Sequence, residues 1–488
     1  MKIAIYNWAL AHGDSKEGGG VALYVRNIAA ELARMGHDVY VLSGGFVYDV
    51  LSRRVYLRKA NKGRQAGIKY IDIVNSRVLA PSFMMFDYSE RALECAETSA
   101  AVEEFLEKFG PFDVFHIQNI EGIPFGALEL KSKFPRTKFI LSNHNYHAIC
   151  SQVNLWVQDR ARCVDYQSGA ACYSCNIFRV DKSRVLASRV AEALLPSIKA
   201  ARFRRLLLGI SYGLVRLRRG WRKDFGVLQD DRYYLDPPHE TPLAPPADRF
   251  RRRRAEAVRL INQYCDRVIS VSKAVENILL GHGIDRARSR VNYIGTRHFT
   301  GEIKGKIWSP ARSDGILRLA FLGYTRPDKG FQFLVDAIEQ MPAKLWGRVA
   351  LVFAGQITDL AAMQRLKSAQ GRLAGLEIYQ GYRQEQLGEI LAPIDLGLVL
   401  PLWDDALPQV AIEFVCHGVP ILVSDRGGQG ELAADPKFIF SAGNIRQFWD
   451  RISEIYENPD LFEKFWRAER PLRSVSTHVG ELLEIYGD

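Results

Sequence analysis

The sequence has no run of about 18 apolar residues, the length that a helix needs to cross a bilayer. It also has no recognisable secretion signal. The opening stretch MKIAIYNWALAHGDSKE has a short apolar start, no basic region before it and no small-residue cleavage site. These two absences predict a cytoplasmic protein without a membrane-spanning helix.

Nucleic-acid-binding motifs are missing as well, although the formal net charge of +11 at pH 7 would suit such a partner. The excess charge lies in one place. Between Arg179 and Lys223 there are 13 basic residues and 2 acidic ones, a difference equal to the whole imbalance. A basic segment this localised is typical of an attachment surface, and we expect no nucleic acid partner.

The same segment contains LLLGISYGLV (Leu206 to Val215), an apolar stretch flanked by FRRL and RLRRGWRK. One interpretation is a pair of helices that lie on an anionic membrane surface, at the inner face of the membrane. The other is a solvated helical hairpin whose arginines face water and whose leucines pack on the main domain. The sequence leaves both interpretations open.

At 488 residues, with 47% hydrophobic and 25% charged, the chain is globular in composition and too long for one ordinary core. In its first part, buried-strand runs alternate with helix patterns. Strand candidates end at Trp8, Gly44, Gln118 and His144, and the unit RVISVSKAVENILLGHG places Ser272 as a helix N-cap. Open α/β sheets bind ligands at the carboxyl ends of their parallel strands.

A second alternation begins near Gly315 and runs through LRLAFLG, RVALVFAG, DLGLVLP and VPILVS. We therefore predict an α/β fold with two doubly wound Rossmann-like domains facing a cleft. The proline-rich stretch Asp236–Asp248 is predicted to be a loop. The predicted segments are an N-terminal domain at 1–300 with a cysteine cluster at 150–175 and a basic, proline-rich insertion at 176–255, a C-terminal domain at 301–470, and a helix packing back at 471–488.

The stretch DALPQVAIEFVCHG carries two carboxylates eight residues apart, on either side of a proline. Asp405 follows a predicted strand, Pro408 suits the first helical position, and Glu413 lies one to two turns inside the helix. A helix N-terminus attracts phosphate, and carboxylates accept hydrogen bonds from hydroxyls. Phosphate with hydroxyls describes a sugar nucleotide, but this stretch taken alone favours a simpler alternative, in which Asp405 caps the helix and Glu413 lies on its polar face.

The whole stretch DALPQVAIEFVCHGVPILVSDRGGQGEL resembles the acidic-x7-Glu motif and the following Gly-Gly turn of the retaining GT-B glycosyltransferases of family 4. The resemblance implies that Asp405 holds hydroxyls of the transferred sugar and that Glu413 holds the nucleotide ribose. The backbone between them, at Leu407 and Gln409, would bind the diphosphate. It also implies an acceptor-binding N-terminal domain and a donor-binding C-terminal domain.

Two glycine-bearing stretches extend the resemblance. FLGYTRPDKGFQFLVDAI is similar to the family's Gly-Arg-x-x-x-x-Lys-Gly stretch, which implies a donor-binding role for Gly323 and makes Lys329 the cation on the departing diphosphate. EGGGVALYVRNIAAELARMGH is similar to the family's Gly-Gly loop and first helix, with Gly19 and Gly20 as the pair that approaches the diphosphate or the acceptor.

FDVFHIQN and KFILSNHNYHAIC resemble two further strand ends of the family, which makes His116 and His144 candidate substrate-binding residues. Three departures from the pattern are visible. Tyr324 stands where the family has an arginine, so Arg326 is the candidate replacement. The carboxylates are Asp and Glu with Pro408 between them, which removes one amide, and Gln118 replaces a histidine.

Four cysteines, Cys150, Cys163, Cys172 and Cys175, fall within 26 residues. Disulfides are disfavoured in the cytoplasm, so this spacing predicts a structural zinc held by four thiolates. An iron–sulfur cluster and four reduced thiols are the alternatives. The family resemblance includes a similar cysteine-bearing insertion in some members.

The sequence thus predicts a glycosyltransferase that moves a sugar from a nucleotide-sugar donor to a hydroxyl of a glycan acceptor, with retention of configuration. We expect a lipid-linked acceptor, a role in surface polysaccharide synthesis, and no cofactor required for catalysis. A non-catalytic GT-B protein that binds sugar nucleotides is the rival suggested by Tyr324 and Gln118, and a nucleic acid binder is the second rival.

Overall fold

The structure is a computed structural model that describes residues 1–12, 19–49, 52, 54–60, 67–81, 89–157, 161–175, 245–310 and 314–488. The predicted basic segment and most of the proline-rich stretch lie outside these residues. No helix within the described ranges is long and apolar enough to cross a membrane.

Eighteen strands and fourteen α-helices are described. The strands are β1 Lys2–Asn7, β2 Asp38–Val47, β3 Tyr56–Lys59, β4 Ile68–Val74, β5 Val114–Ile117, β6 Lys138–Asn143, β7 Trp156–Val157, β8 Ala161–Arg162, β9 Arg267–Ser270, β10 Ser289–Val291, β11 Gly295–Thr296, β12 Leu317–Leu322, β13 Val349–Gly355, β14 Gly375–Gln380, β15 Leu396–Val399, β16 Ile421–Ser424, β17 Ile439–Phe440 and β18 Arg473–Ser474. The helices are α1 Gly19–Arg34, α2 Ser89–Leu93, α3 Ala96–Phe109, α4 Ala170–Cys175, α5 Pro245–Tyr264, α6 Lys273–Gly281, α7 Phe331–Glu339, α8 Leu360–Ser368, α9 Leu387–Leu391, α10 Gln409–Cys416, α11 Gln429–Ala433, α12 Ile445–Glu457, α13 Asp460–Arg467 and α14 Val475–Gly487.

Two separate sheets organise the chain. The first has eight strands in the order β10-β9-β6-β5-β1-β2-β4-β3, parallel except for the β3–β4 pair. The second has six parallel strands in the order β14-β13-β12-β15-β16-β17. Their central strands are apolar and buried on both faces, as parallel strands covered by helices must be. The predicted α/β class with two doubly wound domains is confirmed.

Local sequence signals explain the helix ends. The Ser272 side chain accepts a hydrogen bond from the Val275 amide and caps α6, as its position predicted. The proline-rich stretch is a different case. It was predicted to be a loop as far as Asp248, but α5 begins at Pro245 and continues to Tyr264. Proline suits a first helical turn because its missing N–H has no partner there in any case.

Contacts between the two halves of the chain fix their arrangement. In α14, at the C-terminus, Nε2 of His478 lies 2.7 Å from the hydroxyl of Tyr24 in α1. The carboxylate of Glu431, in α11, accepts hydrogen bonds from the backbone amides of Lys273 and Ala274 at the start of α6. The C-terminal residues therefore close over the first sheet, and the second domain caps a helix of the first.

Gly330, just before α7, allows a close backbone approach. Its φ is +79°, and a Cβ built on it would lie 1.9 Å from the carbonyl oxygen of Leu400. We expect Gly330→Ala to lower the free energy of unfolding by roughly 2–5 kcal/mol, because it adds both a left-handed backbone penalty and a steric overlap.

Chemical denaturation of both variants would measure the effect. Gly480→Ala is the matched control, since a Cβ there meets nothing within 4 Å and lies inside α14. The control should be neutral or stabilising by up to about 1 kcal/mol. Equal stability of Gly330→Ala and wild type would contradict the packing described here.

Candidate active site

The loops that leave two neighbouring strands meet at one edge of the second sheet. Strand β12 ends at Leu322, and Gly323 turns the chain with a φ of +130° into the loop that carries Lys329. Strand β15, paired with β12, leads into the loop that carries Asp405. The carboxyl edge of a parallel sheet is where these loops can assemble a ligand site.

Lys329 and Asp405 form an ion pair in which Nζ lies 2.5 Å from Oδ2. The Asp405 carboxylate is buried, whereas about a third of the Lys329 side chain is exposed. The same ammonium lies 5.1 Å from the centre of the Trp403 ring. The structure thus brings together the two residues that the sequence predicted for the departing diphosphate and the transferred sugar.

The N-termini of two helices meet beside this ion pair. Gln409, the first residue of α10, donates from Nε2 to the carbonyl oxygen of Gly20, 3.0 Å away, at the start of α1. Gly19 and Gly20 therefore form the first two residues of α1. Pro408 is the N-cap of α10, one position earlier than predicted. Free amides at two helix N-termini favour an anion.

Between the two acidic residues, Ala406 and Leu407 are buried, whereas Gln409 and Val410 are partly exposed. Gly427, with a φ of +67°, packs against the Asp405 backbone, where a Cβ would lie 1.9 Å from the carbonyl oxygen of Asp405. The Gly428 amide donates to that same carbonyl oxygen. The Gly-Gly turn after α10 thereby holds the loop that presents Asp405.

Glu413 is buried in α10 and receives two hydrogen bonds from the loop after β14. Gln384 donates from Nε2 at 3.0 Å, and the Tyr382 hydroxyl lies 3.4 Å from the other carboxylate oxygen. The opposite end of the Gln384 amide is held by His298 at 2.7 Å. Burial raises the pKa of the Glu413 carboxyl, and the two hydrogen bonds offset part of that rise.

Arg326 does not take the position expected of it. Its guanidinium forms two hydrogen bonds of 2.9 Å with the buried carboxylate of Asp328, two residues away. A bidentate pair of this kind is strong, and breaking it would leave a buried charge uncompensated. The prediction that Arg326 replaces the family arginine on the diphosphate therefore has no support in this arrangement, and Tyr324 beside it is exposed.

The two candidate histidines belong to the interior of the first domain. His116 is fully buried, with its ring nitrogens 2.6 Å from the Tyr486 hydroxyl and 2.7 Å from the Ser142 hydroxyl. Burial lowers its pKa to about 3, so the ring is neutral at pH 7. This geometry gives no support to the prediction that His116 binds substrate, because Tyr486 of the C-terminal helix α14 contacts the buried ring.

His144 is half-buried and accessible in part. Its Nε2 lies 2.9 Å from the Gln118 amide oxygen, and its ring packs against Tyr24 at 4.8 Å between centres. Burial lowers the pKa of His144 to about 3 as well. It is therefore a neutral ring that Gln118, the residue in place of a family histidine, holds in position, and its contact with substrate stays a prediction.

The four clustered cysteines are free thiols. Burial raises the pKa of Cys163 to about 11 and that of Cys172 to about 12, with the neighbouring Cys150 adding to both. In the described part of the chain, no group of three or more His, Cys, Asp or Glu side chains is arranged to hold a metal ion. The zinc site stays a prediction without geometric support.

Several residues of the site were missed by the sequence reasoning. Tyr382 and Gln384 hold Glu413, and Trp403 lies under Lys329. Arg162, on β8, donates from Nε to the buried carboxylate of Asp404 at 2.5 Å. The doubled aspartate in WDDAL was a visible signal for Asp404, whereas the others carry no local pattern that would single them out.

Comparison with known proteins identifies the class to which this chain is similar. Residues 307–470 match the model for Glycosyl transferases group 1, and residues 18–164 match the model for Glycosyltransferase Family 4. Together with the two mainly parallel sheets, these matches identify a glycosyltransferase with the GT-B architecture. The C-terminal half of the chain carries the Glycosyl transferases group 1 domain.

Solved structures show the same fold over the whole chain. A sucrose-phosphate synthase from Thermosynechococcus elongatus is 13% identical, with a TM-score of 0.57 over 100% of this chain and 98% of the other. An α,α-trehalose-phosphate synthase from Burkholderia xenovorans is 12% identical, with a TM-score of 0.55 over 100% of both chains. Anabaena HepE in complex with UDP is 14% identical, with a TM-score of 0.54 over 100% of both. No curated protein sequence matches this chain significantly.

The raised pKa of Glu413 predicts a pH-dependent cost in stability. A carboxyl whose pKa is raised by folding is bound to its proton more tightly in the folded state, so stability falls as pH rises from its ordinary pKa through the raised value. Glu413→Gln cannot ionise. We expect its thermal midpoint to exceed that of wild type by an amount that grows between pH 4.5 and pH 7.5.

Thermal unfolding of the two proteins over this pH range would measure the difference. Glu389→Gln, which removes a carboxylate from an exposed position of α9, controls for loss of charge alone. If the difference in thermal midpoint between Glu413→Gln and wild type does not change with pH, the raised pKa of the buried Glu413 carboxyl would be contradicted.

Proposed function

We propose that this enzyme transfers a sugar from a nucleotide-sugar donor to a hydroxyl of a glycan acceptor, with retention of configuration. The observation that carries the proposal is the Lys329–Asp405 ion pair beside the two helix N-termini that begin at Gly19 and Gln409. This arrangement brings one cation, free amides and a buried carboxylate together from distant parts of the chain. It suits a group that combines a diphosphate with sugar hydroxyls.

In this proposal Lys329 binds the diphosphate. Negative charge accumulates on the bridging oxygen as the glycosidic bond breaks, and a fixed cation in a partly desolvated cleft stabilises that charge. Without donor, the ammonium of Lys329 lies 2.5 Å from the carboxylate of Asp405, and the two charges neutralise each other. When the donor binds, its phosphate contacts the ammonium of Lys329 and its sugar hydroxyls contact the carboxylate of Asp405. Each of the two side chains thus changes its partner.

Glu413 would bind the ribose hydroxyls. Its carboxylate is already oriented by Gln384 and Tyr382, and each oxygen retains a lone pair for a further hydrogen bond. A carboxylate that is buried and aligned before the ligand arrives loses little conformational freedom on binding. The loop after β14 therefore acts as the support for ribose recognition.

In this mechanism the anomeric configuration is retained because the leaving diphosphate itself acts as the base that takes the proton of the acceptor hydroxyl. The acceptor oxygen bonds to the anomeric carbon on the face from which the diphosphate departs. The carbon–oxygen bond to the diphosphate breaks, and the acceptor proton moves to a diphosphate oxygen. This route needs no nucleophilic side chain and no metal, so in our proposal catalysis requires no cofactor. We also propose a structural zinc at the four clustered cysteines, which elemental analysis of the purified protein would test.

The proposed identity of the acceptor depends more on the sequence than on the geometry of the site. We propose a lipid-linked glycan acceptor, in surface polysaccharide synthesis, with the enzyme at the cytoplasmic face of the membrane. The support is the concentration of basic charge between Arg179 and Lys223, which suits anionic lipid. The structure of HepE holds UDP, so UDP-sugars are the natural first donors to try.

Lys329→Met should lower kcat by roughly a hundredfold to a thousandfold, because it removes the cation that balances charge on the leaving group while keeping the length of the side chain. Donor hydrolysis and transfer over a panel of nucleotide sugars would measure it. Lys344→Met is the matched control, since that lysine forms an exposed ion pair with Glu457 away from the cleft. Full activity of Lys329→Met, or no turnover of any donor by wild type, would sink the proposal.

The product should keep the anomeric configuration of the donor sugar. Nuclear magnetic resonance of the first product formed, before any spontaneous equilibration, would identify the anomer. Inversion would contradict the mechanism while leaving the activity itself intact. The assay therefore separates the stereochemical part of the proposal from the donor-binding part.

A further inference from the structure

The ion pair between Arg162 and Asp404 joins the two domains at the cleft. Arg162 lies on β8, which pairs antiparallel with β7 and sets Arg162 opposite Trp156. Asp404 directly precedes Asp405, so two consecutive buried carboxylates each receive a cation. Lys329 comes from the second domain, whereas Arg162 comes from the cysteine-bearing segment of the first domain.

The Arg162 guanidinium has N–H donors that its ion pair with Asp404 does not use. Within the described residues, its Nε is the atom that donates to Asp404, and 40% of the side chain is exposed. Its two terminal amino groups have no partner there. A guanidinium presents five N–H donors in a planar fork that matches phosphate oxygens, so Arg162 can keep Asp404 and still bind an anion.

Unpaired polar atoms lie around the same place. The Tyr146 side chain is fully buried, and its hydroxyl has no hydrogen-bond partner among the described residues. Its electrostatic neighbours are Asp404, Asp405 and Arg162. The indole N–H of Trp156, opposite Arg162, is buried and also lacks a partner in the part of the chain that the structure describes. Buried donors are rarely left unpaired, so a ligand or ordered water is expected here.

We propose that Arg162 binds the diphosphate of the donor and is the second cation of the site, contributed by the first domain. This inference rests on the proposed function. A diphosphate carries more negative charge than Lys329 alone can balance, and Arg326 is occupied by Asp328. Donor binding would then require Arg162, on β8, to keep its contact with the loop that carries Asp404 and Asp405.

The competing explanation is that Arg162 only neutralises the buried Asp404. The variants Arg162→Gln, Asp404→Asn and the double variant separate the two. In the double variant no buried charge is left uncompensated, so its fold should be retained, which unfolding without ligand would check. We would measure binding of UDP, GDP and ADP to each full-length protein by calorimetry, and repeat the measurement with the matching nucleoside.

If Arg162 binds the diphosphate, both Arg162→Gln and the double variant should weaken nucleoside diphosphate binding by about tenfold to a hundredfold, while nucleoside binding stays unchanged. Arg162→Lys should fall in between. Recovery of wild-type diphosphate affinity in the double variant would overturn the inference, and so would a loss confined to acceptor use. If wild type binds none of the three diphosphates, the proposed function fails as well.

Discussion

The ion pair between Lys329 and Asp405 is the interaction on which the site depends. The two side chains come from loops that follow adjacent strands, so the register of the second sheet sets their separation. The carboxylate is buried, and a buried charge without a partner would be costly. In the proposed function, Lys329 balances the charge of Asp405 before the donor arrives, and the donor then replaces each partner with a group of similar chemistry. The site is therefore organised in advance of binding.

The relative position of the two domains is the second constraint. Helix α14 lies against the first sheet through Tyr24 and His116, and Glu431 caps a helix of the opposite domain. The contact of Gln409 with Gly20 depends on that arrangement. Acceptor and donor groups can meet only if these contacts hold the edges of the two sheets together. Residues far from the chemistry therefore decide its geometry.

Local patterns predicted much of this. Alternating apolar strands and amphipathic helices gave two parallel sheets, and Ser272 capped its helix where its position indicated. The resemblance of the acidic motif and of the Lys-Gly stretch to the family's motifs pointed to Asp405, Glu413 and Lys329. The first and last of these are in contact, although 76 residues separate them in the chain. The resemblance to the family's motifs could indicate that Asp405 and Lys329 act at one site, because those motifs are known to lie at one site in other members of the family.

The predictions that the geometry leaves without support, and the contact that was missed, share one physical cause, since each depends on a partner that the local sequence does not name. His116 looked like a strand-end ligand, but Tyr486, 370 residues away, covers it. Arg326 looked free, but Asp328 holds it, and Arg162 meets Asp404 across 242 residues. The sequence by itself determined the fold class and the residue types at the carboxyl ends of the strands, because periodicity and spacing are local. Only the tertiary structure decided which charges are already paired, because pairing depends on distances that folding alone creates.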